Sequence, residues 1–120
     1  MNINKNILIL IISHGEEKKA LKTKAYISLP ITGTDDYRER AFLIDKKLRE
    51  WGYSVINPVV VCDSLPANET THEQYMSVCL PLVDMSDIVF FADGWEKSKG
   101  CTLEMCRAMQ RKKIIVFIGG

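Results

Sequence analysis

Residues 87–106, DIVFFADGWEKSKGCTLEMC, join a continuous apolar run to a polar loop and then to a segment with helical character. The apolar run, residues 88–92, contains no polar side chain, which is typical of a strand covered on both faces. A helix is predicted over residues 101–111, and the apolar run at 114–118 is predicted to be a further strand. This order indicates two parallel strands joined by a crossover helix.

The same alternation is present towards the N-terminus. KAYIS, residues 24–28, predicts a buried first strand, and YSVINP, residues 53–58, predicts a second strand that a proline ends. Between them, apolar residues recur at steps of three and four, which predicts a helix that Asp35 or Asp36 can cap and that Gly52 ends. Those apolar residues are Tyr37, Ala41, Ile44, Leu48 and Trp51.

A loop is expected next, over about residues 60–69. Thr71 and Gln74 have the spacing of a capping box that begins a second helix. Pro81 is expected to kink this helix or to end its regular part. His72, near the helix start, is expected to be a surface or capping histidine.

This order of elements predicts a small doubly wound α/β fold, flavodoxin-like or Rossmann-like. It is a three-layer sandwich around a parallel sheet of four to five strands. In such sheets, ligands bind beyond the carboxyl ends of the strands. Residues 29–37, 58–70 and 93–100 form the loops at that edge, so we expect the functional site among them.

The length and charge of the chain limit the classes of protein to consider. A chain of 120 residues is long enough for one core, and we expect one domain over residues 24–120. Residues 1–23 are expected to be an apolar segment and a polar linker. The apolar run at residues 7–12 is too short to span a bilayer and is interpreted as an extra strand or an appended segment. The formal net charge is +1, so neither polymeric nucleic acid nor a membrane is expected as a partner.

The cysteines argue against a metal site. They form no CxxC pair, and none lies beside His14 or His72 at zinc-finger spacing. Reduced core cysteines in the cytoplasm are the favoured interpretation, and no metal is expected. The cysteines are Cys62, Cys79, Cys101 and Cys106.

The loop after residues 88–92 carries the most specific candidate residues. Gly94 and Gly100 allow a close backbone approach to a ligand, and Ser98 offers a hydroxyl and a helix cap. The structural alternative is a capped basic loop whose Trp95 covers the sheet edge. That alternative does not explain Glu104, which lies four residues after Gly100 and so faces back toward the crevice. The helix dipole is expected to favour its ionised form, as a nucleophile or charge stabiliser requires.

The loop after the first strand, LPITGTDDYRER at residues 29–40, offers a second candidate site. Pro30 and Gly33 set a turn, and amides at the helix start together with an arginine can bind a phosphate there. The alternative, favoured on this loop alone, is that the two aspartates cap the helix and that Arg38 and Arg40 are solvated.

KAYISLPITG at residues 24–33, the strand after Asp87 and SKGCTLE at residues 98–104 resemble the nucleoside 2-deoxyribosyltransferase-like superfamily. Residues 75–104, YMSVCLPLVDMSDIVFFADGWEKSKGCTLE, are especially similar to a small branch described only as a domain of unknown function. The resemblance covers residues 24–118. It implies an N-glycosidase or 2-deoxyribosyltransferase that cleaves the N-glycosidic bond of a nucleoside, a deoxynucleoside or a nucleoside 5′-monophosphate.

The resemblance also implies roles for individual residues. Glu104 would attack the anomeric carbon, and Tyr26, in the first strand, would hold that carboxylate. Ser98 would grip a 5′-phosphate, and the first loop, around residues 31–33 and Arg38, would line the sugar and phosphate site. Trp95 can stack on the base or simply cap the core. The implied substrate-binding residues are Ser28, Pro30, Ile31, Gly33, Arg38, Asp93, Gly94, Trp95, Ser98 and Gly100.

The expected ligand is a small-molecule nucleoside or nucleotide. Water as acceptor gives a hydrolase and a second base gives a transferase, and neither reaction needs a metal or an organic cofactor. Members of the superfamily commonly complete the pocket with a neighbouring subunit. The resemblance therefore implies a homo-oligomer, such as a dimer built through faces near the second and third helices.

One position departs from the pattern of the superfamily. Relatives carry an aspartate in the second helix where this chain has Cys79. A thiol, whose ordinary pKa is about 8.5, is a poor substitute for a carboxylate at neutral pH. A nucleotide-binding module without turnover therefore stays as the alternative, which Cys79 favours, whereas Tyr26 together with Glu104 favours the enzyme. Possible replacements for the missing carboxylate are Glu73, Asp84 and Asp93.

Overall fold

The computed structural model describes residues 22–119, which contain one sheet of four parallel strands. The strands are β1 (Lys24–Ser28), β2 (Ser54–Ile56), β3 (Ile88–Ala92) and β4 (Ile114–Ile118). Their order across the sheet is β2, β1, β3, β4. Tyr26 of β1 pairs with Ile56 on one side and with Val89 on the other, so β1 lies inside the sheet. The predicted parallel sheet is confirmed.

Four α-helices connect these strands and flank the sheet. They are α1 (Tyr37–Glu50), α2 (Pro58–Val61), α3 (His72–Met85) and α4 (Lys99–Gln110). The predicted capping box of α3 is present, since Thr71 Oγ1 accepts from the Gln74 amide at 3.1 Å and Gln74 Oε1 accepts from the Thr71 amide at 2.8 Å. Asp36 occupies the cap position of α1 without a side-chain cap, and Gly52, with φ of 99°, follows the end of that helix.

Two hydrophobic clusters lie on opposite faces of the sheet. Ile27 and Phe90 belong to the cluster under α1, whereas Tyr26, Val89 and Phe91 belong to the cluster under α3 and α4. Neighbouring residues of a strand thus face opposite layers, as the two-residue period of a strand requires. All five residues of β3 are buried. The predicted doubly wound, three-layer α/β sandwich is therefore confirmed.

The segment between β2 and α3 is more helical than predicted. β2 ends at Ile56 because the Asn57 side chain accepts a hydrogen bond from the Val59 amide at 3.0 Å and so caps α2. A proline in the first helical turn fits, since its missing N–H breaks no helical hydrogen bond. The loop predicted over residues 60–69 is wrong for most of its length, because it holds the end of α2 and two short 3₁₀ helices. These are Cys62–Ser64 and Ala67–Glu69.

Pro81 does not end α3, which continues to Met85. Of the two alternatives predicted for this proline, the end of the regular helix is wrong, and the kink stays a prediction. The proline removes one backbone donor, but Cys79 and Val83 on either side of it pack against the sheet and hold the helix in place.

Part of the chain lies outside the described residues. The apolar run at residues 7–12 and the linker as far as residue 21 belong to it, so the predicted extra strand stays a prediction. Between residues 22 and 119, no helix is both long enough and apolar enough to cross a lipid bilayer.

Candidate functional site

The carboxyl end of β1 and the middle of α4 bring three polar side chains into contact. Tyr26 and Ser28 flank Ile27 along β1 and therefore share the face that α3 and α4 cover. Glu104, on α4, is 6% exposed. Tyr26 Oη donates to Glu104 Oε2 at 2.5 Å, and Ser28 Oγ donates to Oε1 at 2.6 Å. Each carboxylate oxygen thus accepts one hydroxyl hydrogen bond.

Burial governs the charge of Glu104. Loss of water raises the pKa of its carboxyl to about 7, and the hydrogen bonds from Ser28 and Tyr26 oppose that rise. The expectation that the helix dipole favours the ionised form is wrong. Glu104 is the sixth residue of α4, whereas the dipole acts mainly within the first turn. Charged and uncharged forms of Glu104 therefore coexist near neutral pH.

Tyr26 stays a hydrogen-bond donor to this carboxylate. Burial raises the pKa of its phenol well above the ordinary value, and the charge of Glu104 raises it further. The phenol therefore keeps its proton near neutral pH, where Glu104 becomes ionised. It can then donate a hydrogen bond to the carboxylate.

A cavity of about 330 Å³ opens at Glu104, at the predicted edge of the sheet. All three predicted loops contribute to its wall, together with the start of α1 and one face of α3. The volume lies near the lower end of the about 300–1,000 Å³ typical of small-molecule sites, which suits a ligand the size of one nucleoside. Apolar side chains make up much of the wall, among them Leu29, Ile31, Val59, Leu65, Tyr75 and Met76.

The cavity brings together about half of the residues predicted for the site. Tyr26 and Ser28 contact Glu104 directly. The predicted residues that line the cavity are Ile31, Arg38, Cys79, Ser98, Gly100 and Glu104. The predicted residues outside its lining are Pro30, Gly33, Asp93, Gly94 and Trp95.

Trp95 packs in an aromatic cluster. Its ring centre lies 5.4 Å from that of Phe91 and 5.6 Å from that of Phe117, with an interplanar angle of 25° to Phe117. Of the two alternatives for this residue, the structure favours the packing role. Arg40, predicted to be solvated, donates from Nη2 to the backbone carbonyl of Asp93 at 2.9 Å in the same loop.

Ser98 caps α4 and also reaches the cavity. Its Oγ accepts from the Cys101 amide at 3.1 Å, and its carbonyl accepts from the Thr102 amide at 3.0 Å. The amides of Lys99 and Gly100 precede the first intrahelical hydrogen bond and so have no intrahelical partner. Together with the serine hydroxyl, they provide the donors that bind an anion at a helix start.

Cys79 does not supply the missing carboxylate. Desolvation, followed by the charge of Glu104, raises the pKa of its thiol to about 12. Its sulfur lies 4.0 Å from Cys62 Sγ, and both are free thiols. A thiol that keeps its proton so firmly is too weak an acid to protonate a departing group at neutral pH.

None of the three possible replacements lines the cavity. Glu73 lines an outer groove between α3 and α4. Asp84 pairs with two arginines at the end of α4, at 2.7 and 3.2 Å, and Asp93 lies in the loop described above. The described lining holds one carboxylate besides Glu104, that of Asp63. No cluster of three or more His, Cys, Asp or Glu side chains within residues 22–119 is placed to hold a metal ion.

Asp63 and His72 line the cavity, and sequence reasoning missed both. Asp63 lies in a segment expected to reach the crevice, but its spacing does not distinguish it from its neighbours. His72 begins α3 close to the start of α4, since a Cβ built on Gly100 would lie 3.7 Å from His72 Nε2. A helix start that faces the crevice is the only sequence signal for this histidine.

Arg38 and Asp63 form an ion pair at the mouth of the cavity. Arg38 Nη1 donates to Asp63 Oδ1, and the guanidinium lies 5.2 Å from the centre of the Tyr37 ring. The two side chains are 60% and 53% exposed. Asp63 raises the pKa of the guanidinium, which therefore stays charged. Arg38 is thus held by two neighbours and is not simply solvated.

One protein family matches the chain over almost all of this fold. A family model described as a domain of unknown function, DUF4406, matches residues 23–117. The match includes every residue of the cavity wall and all four strands except the last residue of β4. No curated protein matches the sequence.

Proposed function

The chain belongs to the DUF4406 family, and we propose that it is an N-glycosidase or 2-deoxyribosyltransferase of the nucleoside 2-deoxyribosyltransferase-like superfamily. The proposed substrate is a nucleoside, a deoxynucleoside or a nucleoside 5′-monophosphate. One observation carries the proposal. The carboxylate of Glu104 is buried at a nucleoside-sized cavity and is held there by the hydroxyls of Tyr26 and Ser28.

In the proposed reaction, Glu104 attacks the anomeric carbon of the sugar. Cleavage of a glycosidic bond passes through an oxocarbenium-like state, which a nearby carboxylate stabilises before it forms a covalent glycosyl ester. The hydroxyls of Tyr26 and Ser28 fix the orientation of the carboxylate, so less entropy is lost on reaching the attacking geometry. The pKa of about 7 makes the nucleophilic form available at and above neutral pH.

We propose that a 5′-phosphate lies at the start of α4. The Ser98 hydroxyl and the amides of Lys99 and Gly100 supply donors, and the helix dipole favours an anion there. Gly100 lines the cavity without a side chain, so a phosphate can approach its backbone closely.

The proposed activity is tested by base release. Wild type and Glu104→Gln are incubated with a panel of nucleosides, deoxynucleosides and their 5′-monophosphates, and the products are separated by chromatography. We expect release by wild type and a loss of about 10³-fold or more in the variant, because an amide is a poor nucleophile. No release from any substrate, or equal release by the variant, would contradict the proposal.

A nucleotide-binding module without turnover is the second candidate, and Cys79 favours it. The thiol occupies the position of the expected carboxylate and keeps its proton at neutral pH. This candidate predicts that nucleotides raise the thermal unfolding midpoint while no base is released, because a ligand that binds only the folded state stabilises it.

We further propose a cytoplasmic location and a homo-oligomeric state. The four cysteines are free thiols, which suits a reducing compartment. Large apolar side chains on α3 and α4 are exposed, and such surfaces commonly mark contacts between subunits. They are Met85, Leu103 and Met109.

A further inference from the structure

The cavity has two chemically different sides. In the strand order β2, β1, β3, the segment after β2 lies on one side of β1, and the start of α4, which follows β3, lies on the other. Glu104 contacts β1 and so lies between them. Ser98 belongs to the α4 side, whereas Asp63, with Arg38 paired to it, belongs to the β2 side. A nucleotide whose phosphate lies at α4 therefore has its base on the β2 side.

A departing base needs help on that side of the cavity. Cleavage leaves an electron pair on the base nitrogen, and an acid usually protonates it. Glu104 cannot act as this acid because it is the proposed nucleophile, and Cys79 cannot because its thiol holds its proton too firmly. His72 lies beside Gly100, on the α4 side. Two charged side chains of the described lining remain on the base side, Asp63 and Arg38. Arg38 is the cation of the two, and its five N–H donors exceed what Asp63 can accept.

We propose that Arg38, held in place by Asp63, stabilises the negative charge of the departing base and so replaces a general acid. This inference rests on the proposed function and adds the residue that stabilises the leaving group. It differs from the role that the resemblance implies for Arg38, which is to line the sugar and phosphate site. The Tyr37 ring and the Asp63 carboxylate hold the guanidinium from two directions. A cation that is already fixed in position needs no reorganisation when negative charge develops on the base. Arg38 is the catalytic residue here, and Asp63 is a positioning residue.

The proposed step balances without a cofactor. An electron pair of Glu104 Oε forms a bond to C1′ while the C1′–N bond breaks, and the pair of that bond goes to the base nitrogen. The base leaves as an anion against Arg38 and takes a proton from water. The second half of the reaction adds the elements of hydroxide at C1′, which releases the sugar and restores the Glu104 carboxylate.

The test compares leaving groups in Arg38→Gln. Thymidine and 2′-deoxyguanosine release anionic bases, and 5-fluoro-2′-deoxyuridine releases a more acidic base that needs less stabilisation. 7-Methyl-2′-deoxyguanosine is already cationic and releases a neutral base. We expect kcat to fall by about 10²-fold for the first two, less for the fluorinated nucleoside, and less than about threefold for the methylated one. If wild type accepts only pyrimidines or only purines, the comparison within that pair of nucleosides is sufficient for the test. The corresponding 5′-monophosphates are used if wild type requires a phosphate.

Two further variants separate positioning from general damage. Asp63→Asn is expected to lower kcat for thymidine by about tenfold and to spare 7-methyl-2′-deoxyguanosine. Arg49→Gln is the matched control, because Arg49 pairs with Asp45 within α1 and lies outside the cavity lining. It should leave all four rates unchanged.

The outcomes distinguish this inference from the proposed function. An equal loss on all four nucleosides in Arg38→Gln, or no loss on any, overturns the role of Arg38 and leaves the proposed function intact. A wild-type protein that releases no base from any nucleoside or nucleotide overturns the proposed function, and the inference falls with it.

Discussion

The fold balances the charged and uncharged states of Glu104 near neutral pH. Burial favours the uncharged carboxyl, and the hydroxyls of Tyr26 and Ser28 favour the carboxylate, with a resulting pKa of about 7. A solvated glutamate would be ionised throughout the physiological range. The titration of Glu104 should therefore be visible in both stability and rate.

Glu104→Gln is expected to change how stability depends on pH. The folded-state pKa of about 7 lies above the ordinary 4.5, so the folded protein binds this proton more tightly than the unfolded chain. Wild-type stability from this group is complete below about pH 4.5 and is lost as pH rises through about 7. The glutamine does not titrate. The free energy of unfolding of the Glu104→Gln protein, relative to that of wild type, should thus rise by roughly 2 to 3 kcal/mol from pH 5 to pH 8.

Urea unfolding at the two pH values measures this difference. Glu50→Gln is the matched control, because Glu50 is exposed at the end of α1, and its difference from wild type should be the same at both. A difference for Glu104→Gln that did not change with pH would contradict a carboxyl whose pKa is raised by burial.

Tyr26→Phe tests the hydroxyl that lowers the pKa of Glu104. Wild-type kcat/KM should rise with pH through about 7, because the nucleophile must be ionised. Without the Tyr26 hydrogen bond, the pKa of Glu104 rises, and this limb of the profile should move up by roughly one pH unit. Loss of the bond should also lower the free energy of unfolding by about 1–2 kcal/mol.

Tyr53→Phe is the matched control for that variant. The Tyr53 hydroxyl is buried and has no hydrogen-bond partner within residues 22–119. Its removal should leave the free energy of unfolding unchanged or raise it by up to about 1 kcal/mol, and the pH profile should not move. A Tyr26→Phe profile that coincides with wild type would show that this hydrogen bond does not act on the nucleophile.

Among the elements, the start of α4 combines a capped helix with an open approach for a ligand. A methyl group on Gly100 would lie 3.5 Å from Met76 Sδ and 3.7 Å from His72 Nε2, which are ordinary contacts. Packing therefore does not demand glycine at this helical position, and alanine is the better helix former. The space above Gly100 belongs to the cavity.

Gly100→Ala is accordingly expected to separate stability from binding. The free energy of unfolding should stay unchanged or rise by up to about 1 kcal/mol. The affinity for nucleoside 5′-monophosphates should fall by about tenfold or more, because the methyl group keeps the phosphate from the helix amides. Urea unfolding and titration calorimetry measure the two effects.

Gly94→Ala should show the reverse pattern. Gly94 has φ of 89°, where a side chain costs about 1–2 kcal/mol, and it lies outside the cavity lining. We expect lower stability with unchanged affinity in the folded protein. Unchanged affinity in Gly100→Ala would contradict the proposed phosphate position.

For the whole molecule, local patterns predict the elements better than their ends. The apolar run of β3 and the capping box at Thr71 are complete within a few residues, so both are predicted correctly. In YSVINP the apolar run hides the cap and proline of α2, and β2 is predicted too long. The packing that carries α3 past Pro81 is tertiary and leaves no local signal.

The residues of the site are likewise predictable where a local pattern places them and not where tertiary contacts do. The strand period places Ser28 on the same face as Tyr26, and both meet Glu104. Contacts between segments distant in the chain, such as Arg38 with Asp63, have no local pattern that predicts them. The charge of Glu104 is misjudged for two reasons: α4 begins two residues earlier than predicted, which moves Glu104 beyond its first turn, and the depth of burial cannot be read from the sequence.

The assembly of the molecule gives a further prediction, a dimer built through α3 and α4. Leu103 is exposed and lines the groove between these helices. Leu103→Glu should therefore shift the protein towards monomer in sedimentation velocity, because a buried unpaired charge opposes association. The side chain of Phe42 is exposed on α1, away from the proposed contact. Phe42→Glu is therefore the control and should leave the dimer intact. A wild-type protein that sediments as a monomer would contradict this prediction.

The nucleophilic role of Glu104 is tested most directly by trapping the glycosyl ester. A 2′-deoxy-2′-fluoroarabinosyl nucleoside is suitable, because its fluorine destabilises the oxocarbenium-like state and slows hydrolysis of the ester. Intact-mass spectrometry after incubation should show one fluorosugar per chain, peptide mapping should locate it on Glu104, and Glu104→Gln should stay unmodified. Base release from ordinary substrates with an adduct on another residue, or with an active Glu104→Gln, would contradict the account.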